Sequence, residues 1–112
     1  MLLDSIGVPV GSRTLMLDGR PTVQVLIGIP QRLSQDEIEY FCPYQILGVG
    51  DERTRYAVAM DALQALEYTL QRVGVTLYTL AEAKAGRLSW EFGRKKGDLN
   101  FPVTPGAEDL LP

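Results

Sequence analysis

The sequence contains no histidine and a single cysteine, Cys42, among its 112 residues. Without histidine the chain lacks the side chain best suited to proton transfer near neutral pH, and the commonest metal ligand. A lone cysteine excludes an intramolecular disulfide. Small secreted domains are usually stapled by disulfides, so a reducing, cytoplasmic setting is expected. No apolar run approaches the roughly eighteen residues that a membrane span requires. The stretch Met1–Val10 carries Asp4, no cationic side chain and no long apolar core, which is not the form of a signal peptide. Positive charge is also short, with 11 Lys and Arg against 14 Asp and Glu and a net charge of −3. A dedicated nucleic-acid binder needs a cationic face to displace counterions, so neither DNA nor a membrane is expected as the primary ligand.

What is present describes one globular domain. Hydrophobic residues make up 46% and charged residues 22%, an ordinary balance for a folded chain. Residues 1–11 read as a loosely ordered arm that sets Leu2, Leu3 or Ile6 onto the body, 12–103 as the domain and 104–112 as a flexible tail. Ser12–Leu17 is expected to be extended, and Asp18-Gly19 is a hairpin turn signal because glycine accepts positive φ freely. Thr22–Ile29 follows as a β-rich run, in which Gly28 marks a bulge or a close backbone approach. Tyr40–Val49 is a third strand, irregular at Pro43.

A long helix is expected from about Arg53 to Val73. Tyr56, Ala59, Met60, Leu63, Leu66, Leu70 and Val73 recur three or four residues apart, so Leu63 and Leu66 are expected to be deeply buried. Asp51 and Glu52 then favour the helix N-terminus, and Gly74 stops it. Thr79-Leu80-Ala81-Glu82 has capping-box spacing, predicting a short helix that ends at Gly86. Leu88, Trp90 and Phe92 alternate with Arg87, Ser89 and Glu91 as a half-buried strand, which puts both aromatics in the core. The fold class is therefore α+β, an antiparallel sheet packed against one long helix in the order β-β-β-α-α-β.

Candidate sites are few. Asp36, Glu37 and Glu39 form an acidic connection without the glycine and alternating oxygens of a calcium loop, so no metal and no cofactor is expected. Beside Tyr40 they form the expected partner-binding surface, with Tyr40 as an aromatic anchor; the alternative is that the carboxylates only keep the loop soluble and Tyr40 sits in the core. Arg94, Lys95 and Lys96 form the dense positive patch, a solvated turn first and an anion-binding patch second. Cys42 lacks a histidine to activate it and is expected to pack in the core. Gly48-Val49-Gly50 has neither the lysine nor the hydroxyl of a phosphate loop, and is expected to be a turn before a helix.

Cys42-Pro43-Tyr44, Gly48-Val49-Gly50-Asp51, the run Ala59–Leu66, Leu77-Tyr78 and the run Ala85–Trp90 together resemble an uncharacterised family of small bacterial α+β domains over about Cys42–Pro102. By analogy the resemblance implies immunity-type or adaptor proteins, and it implies no catalytic residues. The expected function is a cytoplasmic, non-enzymatic domain that binds a protein partner such as a toxin domain and occludes its site. The alternatives are an enzyme with a histidine-free site and an accessory oligomerising subunit.

Overall fold

A computed structural model describes residues 5–112. Leu2 and Leu3 of the expected arm lie outside the described residues. The elements run β1 (Pro9–Leu17), β2 (Arg20–Gly28), β3 (Gln31–Arg32), β4 (Tyr40–Leu47), β5 (Arg55–Ala59), α1 (Ala62–Thr79), α2 (Ala81–Lys84) and β6 (Leu88–Ser89), with a 3₁₀ turn at Glu108–Leu110. The fold is α+β, a six-stranded antiparallel sheet with one long helix, although the order of elements is richer than the pattern predicted.

Each early connection returns the chain beside the strand it has just left. Leu17 pairs with Arg20 across a two-residue turn in which Asp18 (φ 53°) and Gly19 (φ 77°) both take the left-handed region. That geometry matches the right-handed twist of paired strands, which is why Asp-Gly marks it. β2 pairs with β4 through Gln24–Ile27, and β3 extends the same partnership to Phe41 and Tyr40. β5 lies on the opposite flank of β4, with Cys42 facing Ala57. At the far edge β6 joins β1 through Met16 and Leu17.

One sheet face holds the core. Leu15, Val23, Val25, Ile27, Cys42, Tyr44, Ile46 and Ala59 are buried there. α1 lies over β4 and β5. Leu88, Leu99, Phe101 and Val103 complete the core cluster. Residues 99–103 form an irregular segment in which every second side chain is buried. It crosses α1 at Gly74, where a Cβ would collide with the carbonyl oxygen of Pro102. On the opposite face Ile6 is buried, and a Cβ on Gly28 would meet the Ile6 carbonyl and stand 2.6 Å from Pro43 Cγ, so the close approach expected at Gly28 is present.

The helix differs most from the sequence expectation. Arg55–Ala59 is a strand and α1 begins at Ala62. The Asp61 carboxylate accepts from the Gln64 N–H at 2.7 Å, and the Gln64 amide oxygen accepts from the Met60 N–H at 2.9 Å. This reciprocal capping sets the start of the helix. Its buried face is Ala65, Thr69, Val73, Gly74, Leu77 and Tyr78. Leu63 is 78% exposed and Leu66 and Leu70 are only half-buried at the margin of the core, so within α1 Val73 alone of the expected stripe is fully buried. Small side chains let α1 approach closely, and the Thr69 hydroxyl donates to the Cys42 carbonyl at 3.1 Å. Gly74 does not end the helix, which runs on to Thr79. The expected capping box at Thr79 does not form, because its hydroxyl donates back to the Val75 and Thr76 carbonyls. Gly86, at φ 74°, does stop α2 as expected.

Candidate functional site

The acidic connection 33–39 links β3 to β4. The Leu33 N–H donates to the Glu39 carbonyl at 3.0 Å and the Glu37 N–H to the Ser34 carbonyl at 3.4 Å. Arg32 donates through Nε and Nη2 to the Glu37 carbonyl at 3.2 and 2.7 Å. These bonds shape the loop from within. Asp36, Glu37 and Glu39 are all exposed. Among the described residues the ion pairs are Arg55–Asp51 and Arg87–Asp18, so the three carboxylates face solvent without a cation. Ile38, in their midst, is 65% exposed. Tyr40 is half-buried against the core, so the accessible apolar group of this loop is Ile38.

Arg94, Lys95 and Lys96 lie on an exposed turn, but the strand before it is shorter than the alternation predicted. β6 ends at Ser89, and the Gly93 N–H donates to the Trp90 carbonyl at 2.9 Å, which bends the chain before Phe92. Phe92 is therefore 69% exposed rather than in the core, with its ring T-shaped on Trp90 at 5.5 Å. Arg94, Lys95 and Lys96 are exposed beside it. The Asp98 carboxylate holds the turn by accepting from the N–H groups of Asn100 (2.8 Å) and Arg94 (3.4 Å).

Cys42 is fully buried, with its thiol donating to the Gly28 carbonyl at 3.4 Å. Burial pushes the thiol up, which holds it in the unreactive protonated form. Gly48-Val49-Gly50 joins two strands rather than preceding a helix. The Gly48 N–H donates to the Glu52 carboxylate at 2.7 Å, so this donor is engaged by a side chain of the same turn. Asp51 likewise serves this hairpin and not a helix end. It accepts from the Arg53 N–H at 3.0 Å and pairs with Arg55, and these contacts hold its carboxyl below the usual range. Among the described residues no cluster of three or more His, Cys, Asp or Glu side chains has the geometry of a metal site.

Sequence reasoning passed over Arg13. Its partner across the sheet is Val25, so its side chain lies on the core face in register with Leu15. The guanidinium carbon sits 4.4 Å from the Phe101 ring centre and 4.8 Å from that of Trp90. Nη1 donates to the carbonyls of Asn100 (2.5 Å) and Leu99 (3.3 Å). Arg13 forms one wall of a cleft of about 220 Å³ whose other walls are Val25, Ile27, Leu66, Leu70 and Phe101, with Val10, Gly11 and Ser12 at its rim. Partial loss of water lowers the guanidinium from its ordinary value, against the opposing pull of Asp98 and Tyr78. The signal was present in the alternation itself, since Leu15 and Leu17 inward require Arg13 inward.

These features define a small α+β domain that offers exposed surfaces and an apolar cleft, with its thiol sequestered. The chain belongs to the DUF6968 family, a domain of unknown function whose family model matches residues 11–103. The resemblance to an uncharacterised family is thus borne out, over a span that begins well ahead of Cys42. No curated protein and no solved structure matches the chain. No helix among the described residues is long and apolar enough to cross a membrane.

Proposed function

We propose that this domain acts by binding another protein, and that the loop 33–39 is its contact. In its finer form the proposal is a bacterial, cytoplasmic immunity-type inhibitor that lays this loop across a basic cleft of a toxin domain. The observation that carries it is the pairing of an exposed Ile38 with three carboxylates that form no ion pair among the described residues, on a loop tied by its own hydrogen bonds. A pre-shaped loop loses less conformational freedom on docking than a mobile one. Asp36, Glu37 and Glu39 steer encounter with a cationic partner, Ile38 anchors the contact, and Tyr40 braces the base of the loop from β4. The sequestered Cys42 thiol argues against nucleophilic turnover.

The test is capture of partners from the native cell by the wild-type chain, by the triple variant Asp36→Asn, Glu37→Gln, Glu39→Gln, and by Ile38→Ser. A partner held by the wild type should associate more slowly with the triple variant and lose its salt dependence, because screened charges act mainly on the on-rate. It should dissociate faster from Ile38→Ser. Unchanged rates in both variants overturn the loop as the contact, and substrate turnover by the isolated chain overturns the binding reading itself.

A further inference from the structure

We propose that the cleft between β1, β2 and α1 binds a small aliphatic monocarboxylate, with the carboxylate on Arg13 and the hydrocarbon body against Val25, Ile27, Leu66 and Leu70. This site is separate from the loop 33–39 and does not depend on the protein-binding reading.

Three observations converge on that class of ligand. The first is size. A cleft of about 220 Å³ is smaller than the roughly 300–1,000 Å³ of sites that take drug-sized molecules, and its size suits a short hydrocarbon chain. The second is the lining, which is aliphatic and aromatic apart from Arg13 and, at the rim, Gly11 and Ser12. Val25 and Ile27 are buried at its floor, and Leu66 and Leu70 stand along its helical side. The third is the state of that cation. Only Nη1 of Arg13 meets protein acceptors, and Nη2 and Nε have none among the described residues. The nearby Asp98 carboxylate is engaged by the N–H groups of Asn100 and Arg94 and forms no ion pair with Arg13. A partly dehydrated guanidinium with donors to spare matches the two oxygens of a carboxylate in charge and in geometry. Contact with the Phe101 and Trp90 rings holds the guanidinium in place before any ligand arrives. Exposed Val10 at the rim, and Leu63 one helical turn before Leu66, extend the apolar surface outward from the mouth.

Trp90 is the sole tryptophan and lies under Arg13, so its emission reports directly on the guanidinium. The experiment is titration of the full chain with octanoate, octan-1-ol and acetate, followed by Trp90 fluorescence and by the methyl signals of Val25, Ile27, Leu66 and Leu70. Octanoate should bind saturably, about tenfold or more tightly than octanol, and acetate should bind negligibly. Arg13→Gln should weaken octanoate by about the same factor, with circular dichroism confirming the fold. Val10→Glu changes an exposed rim position and should weaken octanoate through repulsion at an unchanged melting temperature. It decides the matter if Arg13→Gln does not fold. Octanol binding as tightly as octanoate, still methyl signals, or full octanoate affinity in Val10→Glu overturns the proposal. The triple variant of the acidic loop should bind octanoate normally, so this site and the loop succeed or fail separately.

Discussion

Gly74 and Cys42 show how single residues change meaning once their neighbours are known. In the sequence, a glycine after an apolar helical run marks a C-cap. In the structure Gly74 is mid-helix, and its missing side chain makes room for the Pro102 carbonyl. The contact joins residues far apart in the chain, so no local pattern could announce it. Cys42 is the opposite case, because the lack of histidine and the burial habit of cysteine already pointed to packing. The buried Sγ and raised thiol predict slow modification by a disulfide reagent at pH 8 in the folded protein, and fast modification after denaturation in urea. Equal rates in the two states would show that the thiol is accessible.

At the scale of elements, α1 was legible as a helix and illegible in its bounds and its facing. Arg55–Ala59 contains two alanines, which local propensity assigns to a helix. In β5 those same alanines are buried, where their small size lets α1 approach the sheet. The start at Asp61 was available from the sequence as an acidic N-cap followed three residues later by Gln64. The facing was not. Hydrophobic spacing favours the large Leu63, Leu66 and Leu70, but a closely approached sheet selects the row Ala65, Thr69, Val73 and Leu77. Leu77→Ala should therefore destabilise by about 2–5 kcal/mol, and Leu63→Ala by less than about 0.5 kcal/mol, both measured by urea denaturation. A reversed ranking would mean that the helix is rotated from the position described.

Across the whole molecule the sheet is closed by a contact between chain segments remote in sequence. Asp18, in the first hairpin turn, accepts from Arg87 Nη2 at 2.7 Å and Nε at 2.9 Å, and its own N–H donates to the Arg87 carbonyl. The pair pins β6 against β1 after the chain has returned from α2. Arg87 holds the Asp18 carboxyl below its usual range, and Asp18 raises the guanidinium in turn. Because the folded value is depressed, the stabilisation is complete above the unfolded carboxylate pKa and disappears as pH falls through the folded value. The pair is exposed, so its effect is small. Asp18→Asn keeps a residue tolerant of positive φ and removes only the charge. The wild type should be slightly the more stable at pH 7, and the two unfolding curves should converge at acid pH. A difference that persists unchanged to low pH would assign the effect to the turn instead of the ion pair.

The sequence alone determined the fold class, the Asp18-Gly19 hairpin, the stop at Gly86 and the structural place of Cys42. Each follows from local backbone preference or from a residue type that is scarce. It also placed Asp36, Glu37 and Glu39 on a surface loop, since three carboxylates in four positions cannot be buried without partners. Only the tertiary structure decided that Arg55–Ala59 is a strand, that Leu63 and Phe92 face solvent, that Glu52 fills the Gly48 turn, and that Arg13 stands between two aromatic rings above an apolar cleft. The strand, the exposure of Leu63 and the setting of Arg13 depend on which remote segment lies opposite, and periodicity records a preference for burial without naming the surface that provides it. Phe92 and Glu52 are placed by tight turns between near neighbours, whose conformation the hydrophobic pattern does not record.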